Sequence, residues 1–96
     1  MTSPKVTVVV PTYNGSRYIR KALASLQEQT MDSWEAIVVD DGSTDSTVSI
    51  IREFMASEPR IRLIQHSQNR KLPTALNTGF SEARGNYLTW TADDNL

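Results

Sequence analysis

The run from Val6 to Val10 is the feature that most restricts the fold of this chain. It consists of β-branched residues without polar alternation, which is typical of a strand that is covered on both faces. Pro11 follows the run and is expected to end the strand, because proline has no N–H to donate. The chain therefore needs a fold in which a sheet is covered on both sides.

Helical and strand patterns alternate along the rest of the chain. Apolar residues recur at the spacing of one helical face between Arg17 and Gln29. The alternation continues with a strand at 34–39, a helix with apolar positions Val48, Ile51, Phe54 and Met55, a strand at 61–65, a helix from Leu72 that Gly85 is placed to end, and a strand at 87–91. Short connections in this order require parallel pairing through right-handed crossovers. The sequence predicts an α/β fold, an open and mostly parallel sheet with helices on both faces.

The composition excludes several classes of protein. The 96 residues correspond to one domain, and ten Lys and Arg against eleven Asp and Glu give a net charge of -1 that makes nucleic acid an unsuitable partner. The absence of Cys rules out disulfides, thiolate zinc sites and cysteine nucleophiles, so a cytoplasmic location is expected. No apolar run is long enough to cross a bilayer. We expect residues 1–96 to form a single domain without a membrane segment.

Polar and acidic residues follow three of the predicted strands. They occupy 11–14, 40–43 with the pair Asp40 and Asp41, and 92–95 with the pair Asp93 and Asp94. Ligands of open parallel sheets bind beyond the carboxyl ends of the strands, so these groups are expected to meet in one crevice. The carboxylate pairs would repel one another there unless cations or donors compensate. A magnesium or manganese ion carrying a diphosphate meets this requirement, and the Tyr13 ring offers a surface for a base.

Each of these residues also has a structural explanation. Asp40 and Asp41 are suited to starting the turn before the second helix, with Ser43, Thr44 or Asp45 as its cap. For the remaining candidates the structural explanations are a turn at 13–15, a surface or loop position for His66, core packing for Trp34 and Trp90, and a solvated pair at Arg70 and Lys71. The joint placement of the polar groups favours a binding site.

Three ordered motifs identify a family resemblance. They are Val-Thr-Val-Val-Val-Pro-Thr-Tyr-Asn at 6–14, Val-Val-Asp-Asp-Gly-Ser-Thr-Asp at 38–45 and Thr-Ala-Asp-Asp-Asn at 91–95. Together with Asn69, Ala75, Asn77, Gly79 and Gly85, they resemble the family 2 glycosyltransferases, which have the GT-A fold. The resemblance implies the inverting transfer of a sugar from a nucleotide-diphosphate sugar, often a UDP- or dTDP-sugar, to a sugar or glycan acceptor.

The resemblance also implies roles for individual residues. The implied nucleotide-sugar site has Tyr13 stacked on the base, Pro11 and Thr12 shaping its loop, Asp41 accepting from the imide N–H of the base, and Arg70 or Lys71 near the base or phosphates. Asp93 is implied to contact the ribose or sugar, and Asp94 to bind Mg or Mn. The catalytic base is expected beyond Leu96, so no residue of these 96 is assigned a catalytic role.

The chain departs from the pattern of its relatives at two positions and in length. Thr91 stands where many relatives have an acid, and Lys71 stands in a stretch where many have a glycine. Relatives are also considerably longer, so we expect a truncated donor-binding half that is inactive alone and exposes apolar surface through which it self-associates.

Other enzyme and binding classes fit the sequence less well. This sequence lacks the glycine-rich motifs that identify a dinucleotide-binding dehydrogenase and a P-loop NTPase. A phosphoacceptor receiver domain would carry its acidic pair after the first strand rather than the second. The alternatives that stay open are a nucleotidyltransferase-like domain and a nucleotide-sugar-binding domain without transfer activity.

Overall fold

A computed structural model describes residues 4–28, 33–68, 70–85 and 87–91. Within these ranges the elements are β1 (Val6–Thr12), α1 (Ile19–Gln27), β2 (Trp34–Asp40), α2 (Thr47–Ser57), β3 (Ile61–Gln65), α3 (Lys71–Ser81) and β4 (Tyr87–Trp90). The strands form one sheet in the order β3-β2-β1-β4, and every neighbouring pair is parallel. The predicted α/β fold with a parallel sheet is confirmed.

Helices cover both faces of the sheet, as predicted. Val10 and Val38 point to one face, where they join a core cluster with residues of α1 and α2. Val9 and Ile37 point to the other face and pack with Ala75 of α3. Successive residues of a strand alternate between faces, so the central strands β1 and β2 need apolar side chains at both kinds of position. This is why β1 shows no polar alternation.

Pro11 lies inside β1, in register with Val39 of β2, so the expectation that it ends the strand is wrong. Successive residues of a parallel strand turn their backbone groups alternately toward the two neighbouring strands. The carbonyl of Val9 accepts from Thr91 on the β4 side, and Pro11, two residues later, faces that side too. Pairing with β4 ends opposite Val9, so the missing N–H of Pro11 costs no hydrogen bond of the described ladder.

Gly85 does not end the third helix. α3 ends at Ser81 with Glu82 as its C-cap, and Gly85 lies in the connection to β4. A Cβ at Gly85 would lie 2.7 Å from the backbone nitrogen of Thr7, and the N–H of Gly85 donates to the Thr7 hydroxyl at 2.9 Å. Glycine stands here because the connection passes directly against β1.

The two tryptophans have different environments. Trp34 is 5% exposed, and the Arg60 guanidinium lies 4.1 Å from its ring centroid, so the core role predicted for Trp34 is confirmed. Trp90 is 44% exposed, and its neighbours Tyr87 and Leu88 are 72% and 52% exposed. The core role predicted for Trp90 is wrong for the described part of the chain, because β4 is the edge strand and no described element covers it.

A buried carboxylate joins the strands near their amino ends. Glu35 of β2 is 2% exposed. Its Oε2 accepts from the Thr7 hydroxyl at 2.7 Å and from the Arg84 backbone at 2.6 Å, and its Oε1 accepts from Arg62 at 3.1 Å. Burial disfavours the charged form, but the hydrogen bonds from Arg84, Thr7 and Arg62 outweigh it and hold the pKa of Glu35 below its usual value.

None of the helices in the described ranges is both long enough and apolar enough to cross a membrane.

Candidate functional site

The strand order places a crevice at the carboxyl end of the sheet. β2 and β3 extend from one side of β1, whereas β4 lies on its other side, and ligands of such sheets bind where the order reverses. The last backbone contact between β1 and β2 runs from the Asp41 N–H to the Thr12 carbonyl at 2.9 Å. Tyr13 and Asp41 therefore stand side by side where the strands end, with Tyr13 49% exposed and Asp41 4% exposed.

The loop after β1 is fixed to the loop after β2. Asn14 has a φ of 49°, a left-handed conformation that asparagine tolerates better than most residues. Its N–H donates to the Ser43 hydroxyl at 2.8 Å, and its Oδ1 accepts from the Thr44 N–H at 2.8 Å. The sequence placed Asn14 in the polar group at 11–14 and in a turn at 13–15 without a role in binding, and the structure shows that it supports the loop that carries Tyr13. The Asn-Gly pair is the signal that marks a turn here.

The adjacent carboxylates Asp40 and Asp41 have different roles. Asp40 accepts from the Ser43 N–H at 3.2 Å, across a turn in which Gly42 has a φ of 86°. The turn explanation is therefore confirmed for Asp40. Its Oδ1 is buried and has no hydrogen-bond partner among the described residues. Asp41 takes no part in that turn and points toward the start of α3.

Ser46 is the N-cap of α2, so Asp45 is not the cap that the sequence suggested, but its side chain binds the first N–H of the helix. Its Oδ1 accepts from the backbone N–H of Thr47 at 2.9 Å and also bonds the Thr47 hydroxyl, while its Oδ2 accepts from the Ser16 N–H at 3.3 Å. Burial opposes ionisation of this carboxyl, but the hydrogen bonds from Thr47 and Ser16 dominate and lower the pKa of Asp45 to about 2.

The Asp41 carboxylate is held by three donors. Oδ1 accepts from the backbone N–H of Arg70 at 2.9 Å and lies 2.8 Å from Nδ1 of His66. Oδ2 accepts from the backbone N–H of Lys71 at 2.9 Å. Burial alone would raise the pKa of Asp41, but the hydrogen bonds from Arg70, His66 and Lys71 outweigh burial and lower it. The group is therefore an ionised, oriented acceptor at neutral pH.

The backbone N–H groups of Arg70 and Lys71 point the positive ends of their dipoles at the Asp41 carboxylate. Lys71 begins α3 with a φ of 76°, a conformation that favours glycine. This explains physically why a glycine is suited to this stretch, where the sequence departs from its relatives. Arg70 and Lys71 are exposed residues, and their backbone N–H groups contact the carboxylate.

His66 lies in the loop that follows β3, one of the two positions expected from the sequence, but its side chain is largely buried rather than at the surface. Its side chain is 10% exposed, its Nδ1 contacts Asp41, and its Nε2 lies 3.0 Å from the hydroxyl of Thr78 in α3. Asp41 precedes His66 by 25 residues and Thr78 follows it by 12. Local spacing in the sequence does not predict these contacts, because they are created by the pairing of β2 with β3 and by the packing of α3.

The remaining predicted site residues divide into two groups. Pro11 and Thr12 are buried in the last part of β1 and directly precede the loop that carries Tyr13. Asp93 and Asp94 lie outside the described residues. Among the residues described, no group of three or more His, Asp or Glu side chains could hold a metal ion. Asp41 itself does not fit a metal, because three N–H groups already point at its oxygens.

The comparisons with known proteins identify the family. The model of glycosyl transferase family 2 matches residues 7–96. This chain belongs to the family 2 glycosyltransferases. The resemblance found in the motifs is thereby confirmed for almost the whole sequence.

Curated relatives in the family are similar to this glycosyltransferase chain along nearly all of its length. Glycosyltransferase GlyA of Streptococcus pneumoniae is 41% identical over 95 residues, which are 99% of this chain and 14% of the relative. The Escherichia coli chondroitin synthase is 39% identical over 93 residues, which are 97% of this chain and 13% of the relative. The chain thus spans about one-seventh of the length of these two proteins.

Solved glycosyltransferase structures share the fold. The mannosyltransferase PcManGT of Pyrobaculum calidifontis, solved with GDP-Man and Mn²⁺, superposes with a TM-score of 0.88 at 36% identity, covering 98% of this chain and 28% of that one. S. aureus TarS in complex with UDP-GlcNAc gives a TM-score of 0.88 at 32% identity, covering 94% of this chain and 26% of that one. Both neighbours are GT-A glycosyltransferases, so the predicted fold class is confirmed.

Proposed function

We propose that residues 1–96 form the nucleotide-sugar-binding domain of an inverting glycosyltransferase, which transfers a sugar from a UDP- or dTDP-sugar to a sugar or glycan acceptor. The observation that carries the proposal is the Asp41 carboxylate, fixed by three donors beside the exposed ring of Tyr13 in a chain of this family. The solved neighbours with GDP-Man and with UDP-GlcNAc support a nucleotide sugar as the donor.

The hydrogen-bond capacity of Asp41 determines which bases the site favours. An ionised carboxylate only accepts, and its two oxygens offer about four positions. Two positions on Oδ1 are taken by His66 and Arg70, and one on Oδ2 is taken by Lys71. The remaining position on Oδ2 suits the imide N–H of uracil or thymine. Guanine also presents N–H donors, whereas cytosine has no ring N–H on its pairing edge.

The other predicted residues complete this proposal. Tyr13 stacks on the base, with Pro11 and Thr12 supporting its loop, and the Arg70 side chain lies near the base or phosphates. Asp93 contacts the ribose or sugar. Asp94 binds a Mg or Mn ion together with oxygens of the diphosphate, for which the Mn²⁺ complex of the mannosyltransferase is the support. When bound, this ion neutralises charge on the diphosphate. A cytoplasmic location belongs to the same proposal.

Calorimetry with nucleoside diphosphates in the presence of manganese tests the base site. We expect UDP and dTDP to bind at least about tenfold more tightly than CDP, since a lost hydrogen bond to a charged group costs about 1.5–3 kcal/mol. GDP is included for comparison, because it represents the competing class of GDP-sugar donors. Equal affinities for UDP and CDP would contradict the role of Asp41, and unchanged UDP affinity in excess EDTA would contradict the metal.

A matched pair of tyrosine variants tests the stacking surface. Tyr13→Ala removes the ring and is expected to weaken UDP binding by about 1–3 kcal/mol, whereas Tyr13→Phe retains the ring and the affinity. Tyr87→Ala is the control, because Tyr87 is also exposed but pairs with Val6 at the opposite end of the sheet. Equal losses in the Tyr13→Ala and Tyr87→Ala variants would show that the ring has no specific contact with the base.

A further inference from the structure

Three polar residues tie the loop between β1 and α1 to the loop between β2 and α2. The Asn14 N–H donates to the Ser43 hydroxyl at 2.8 Å, and Asn14 Oδ1 accepts from the Thr44 N–H at 2.8 Å. The Thr44 hydroxyl also lies 3.4 Å from the same oxygen. We call Asn14, Ser43 and Thr44 the latch. Its members are 29 and 30 positions apart in the chain, so the latch holds two separate loops together.

The latch lies directly beside the aromatic ring of the candidate base site. Tyr13 precedes Asn14 in the chain and is 49% exposed, so packing against the protein covers only about half of it. The chain leaves Tyr13 through the left-handed conformation of Asn14, whose φ is 49°. Both polar groups of Asn14 that are bonded to the second loop retain this conformation. The direction in which the Tyr13 ring projects therefore depends on the latch.

The carboxylate of the same site is held by a different set of contacts. Asp41 accepts from the backbone N–H groups of Arg70 and Lys71 and contacts the His66 ring. These three partners belong to the segment from the end of β3 to the start of α3, whereas the latch lies on the side of α2. The stacking ring and the hydrogen-bond acceptor thus have separate supports.

We propose that Asn14 is a positioning residue which, through the latch, holds Tyr13 in place for stacking before the nucleotide binds. The proposal rests on the proposed function of the base site. A residue that is already held avoids the ordering cost that binding otherwise incurs. Stacking accepts every base, and discrimination among bases stays with Asp41. Loss of the latch therefore lowers the affinity for nucleotides without changing the preference among bases.

The order of Tyr13 can be measured without any ligand. Backbone ¹⁵N relaxation gives an order parameter of about 0.85 for a rigid residue and below about 0.6 for a flexible one. Tyr13 of the unmodified, nucleotide-free chain is expected to have the rigid value. A flexible Tyr13 in this chain would overturn the proposal.

Four variants test whether the latch is the cause of this order. Asn14→Gly removes Oδ1 but tolerates the left-handed backbone, and Ser43→Ala removes the acceptor of the Asn14 N–H without changing the backbone freedom of residue 14. In both, the order parameter of Tyr13 is expected to fall toward about 0.6. Asn14→Asp retains an oxygen acceptor for Thr44 and is expected to keep the rigid value. The control is Ser81→Ala, which removes an exposed side-chain hydrogen bond in α3.

The outcomes of these variants are unambiguous. A rigid Tyr13 in folded Asn14→Gly or in Ser43→Ala would contradict the latch, and so would an equal loss of order in Ser81→Ala. If Asn14→Gly does not fold, Ser43→Ala and Asn14→Asp decide the question.

Calorimetry with UDP and CDP separates the role of Asn14 from an effect on Asp41. Asn14→Gly is expected to weaken the binding of both nucleotides by about tenfold, because each must then order the Tyr13 loop on binding. The ratio of the two affinities is expected to stay that of the unmodified chain. An unchanged affinity for UDP, or a ratio that falls toward one, would exclude the proposed role.

A double variant separates positioning of Tyr13 from a general loss of folding. If Asn14 acts through the ring, Tyr13→Ala is expected to weaken UDP binding about tenfold less in the Asn14→Gly chain than in the unmodified chain. Losses that simply multiply would show that Asn14 does not act through Tyr13. If the unmodified chain does not bind UDP, the proposed function fails, while the order parameters still decide whether the latch holds Tyr13.

Discussion

The left-handed conformation of Lys71 leads to a prediction about the start of α3. Its φ of 76° places the Cβ of any residue other than glycine against its own backbone, which costs about 1–2 kcal/mol. Glycine avoids this cost but loses about 0.5–1 kcal/mol more backbone entropy than alanine on folding. The difference predicts that Lys71→Gly is more stable than Lys71→Ala by about 0.5–1 kcal/mol.

The comparison of two variants isolates the backbone effect. Both substitutions remove the lysine side chain and its contacts, and both retain the N–H that donates to Asp41 Oδ2. Urea unfolding followed by circular dichroism gives the free energy of unfolding for each variant. A difference of this size corresponds to a shift of about 2–8 °C in Tm for a chain of this length.

Asn14 provides a contrast at a second left-handed position. Its φ is 49°, but its side chain accepts from the Thr44 N–H at 2.8 Å. Asn14→Gly is therefore expected to destabilise the chain, because the relief of strain is smaller than the loss of this hydrogen bond. If Lys71→Ala equals or exceeds Lys71→Gly in stability, the strain assigned to position 71 is absent and the argument from its φ fails.

Three further predictions concern stability. Glu35→Gln is expected to lower the free energy of unfolding in urea by about 2–3 kcal/mol, because it disrupts a buried carboxylate network. The control Glu53→Gln, at an exposed ion pair, should lower it by less than about 0.5 kcal/mol. Similar losses in the two variants would refute the network. Gly85→Ala is expected to cost about 1–3 kcal/mol, since its Cβ would meet the Thr7 backbone, and an unchanged Tm would refute this close approach. The pKa of Asp45 is lowered from 3.8 to about 2 in the folded chain, so its ionised form stabilises the fold above pH 3.8 and this contribution is lost as the pH falls toward 2. The Asp45→Asn variant should therefore lose less stability over that pH range than the unmodified chain. Parallel curves of unfolding free energy against pH for the two proteins would contradict the assignment.

The secondary structure could be predicted because its causes are local. An apolar run of strand length, an apolar stripe at helical spacing and a short connection each lie within about a dozen residues, and each restricts the backbone where it stands. The bounds of β3 agree with the prediction, and β2 differs from it by one residue. Because short connections require parallel pairing, the position of Asp41 at the carboxyl end of β2 also followed from the sequence.

The partners of the buried polar groups could not be predicted in the same way. Asp40 and Asp41 are adjacent and chemically identical, but one bonds its own turn and the other bonds α3. The direction of each side chain depends on the strand pleat and on which helix covers each face. His66 illustrates the same limit, because its two partners come from parts of the chain on either side of it.

The sequence by itself determined the order of strands and helices, the parallel sheet and the family, since these depend on short-range patterns and on motifs at strand ends. Only the tertiary structure decided that Pro11 remains in β1, that Trp90 is exposed and that His66 contacts Asp41. Each of these depends on which strand is a neighbour and where its pairing ends. Such contacts join residues distant in the chain, and the free energy that selects them comes from packing the whole sheet and its helices together.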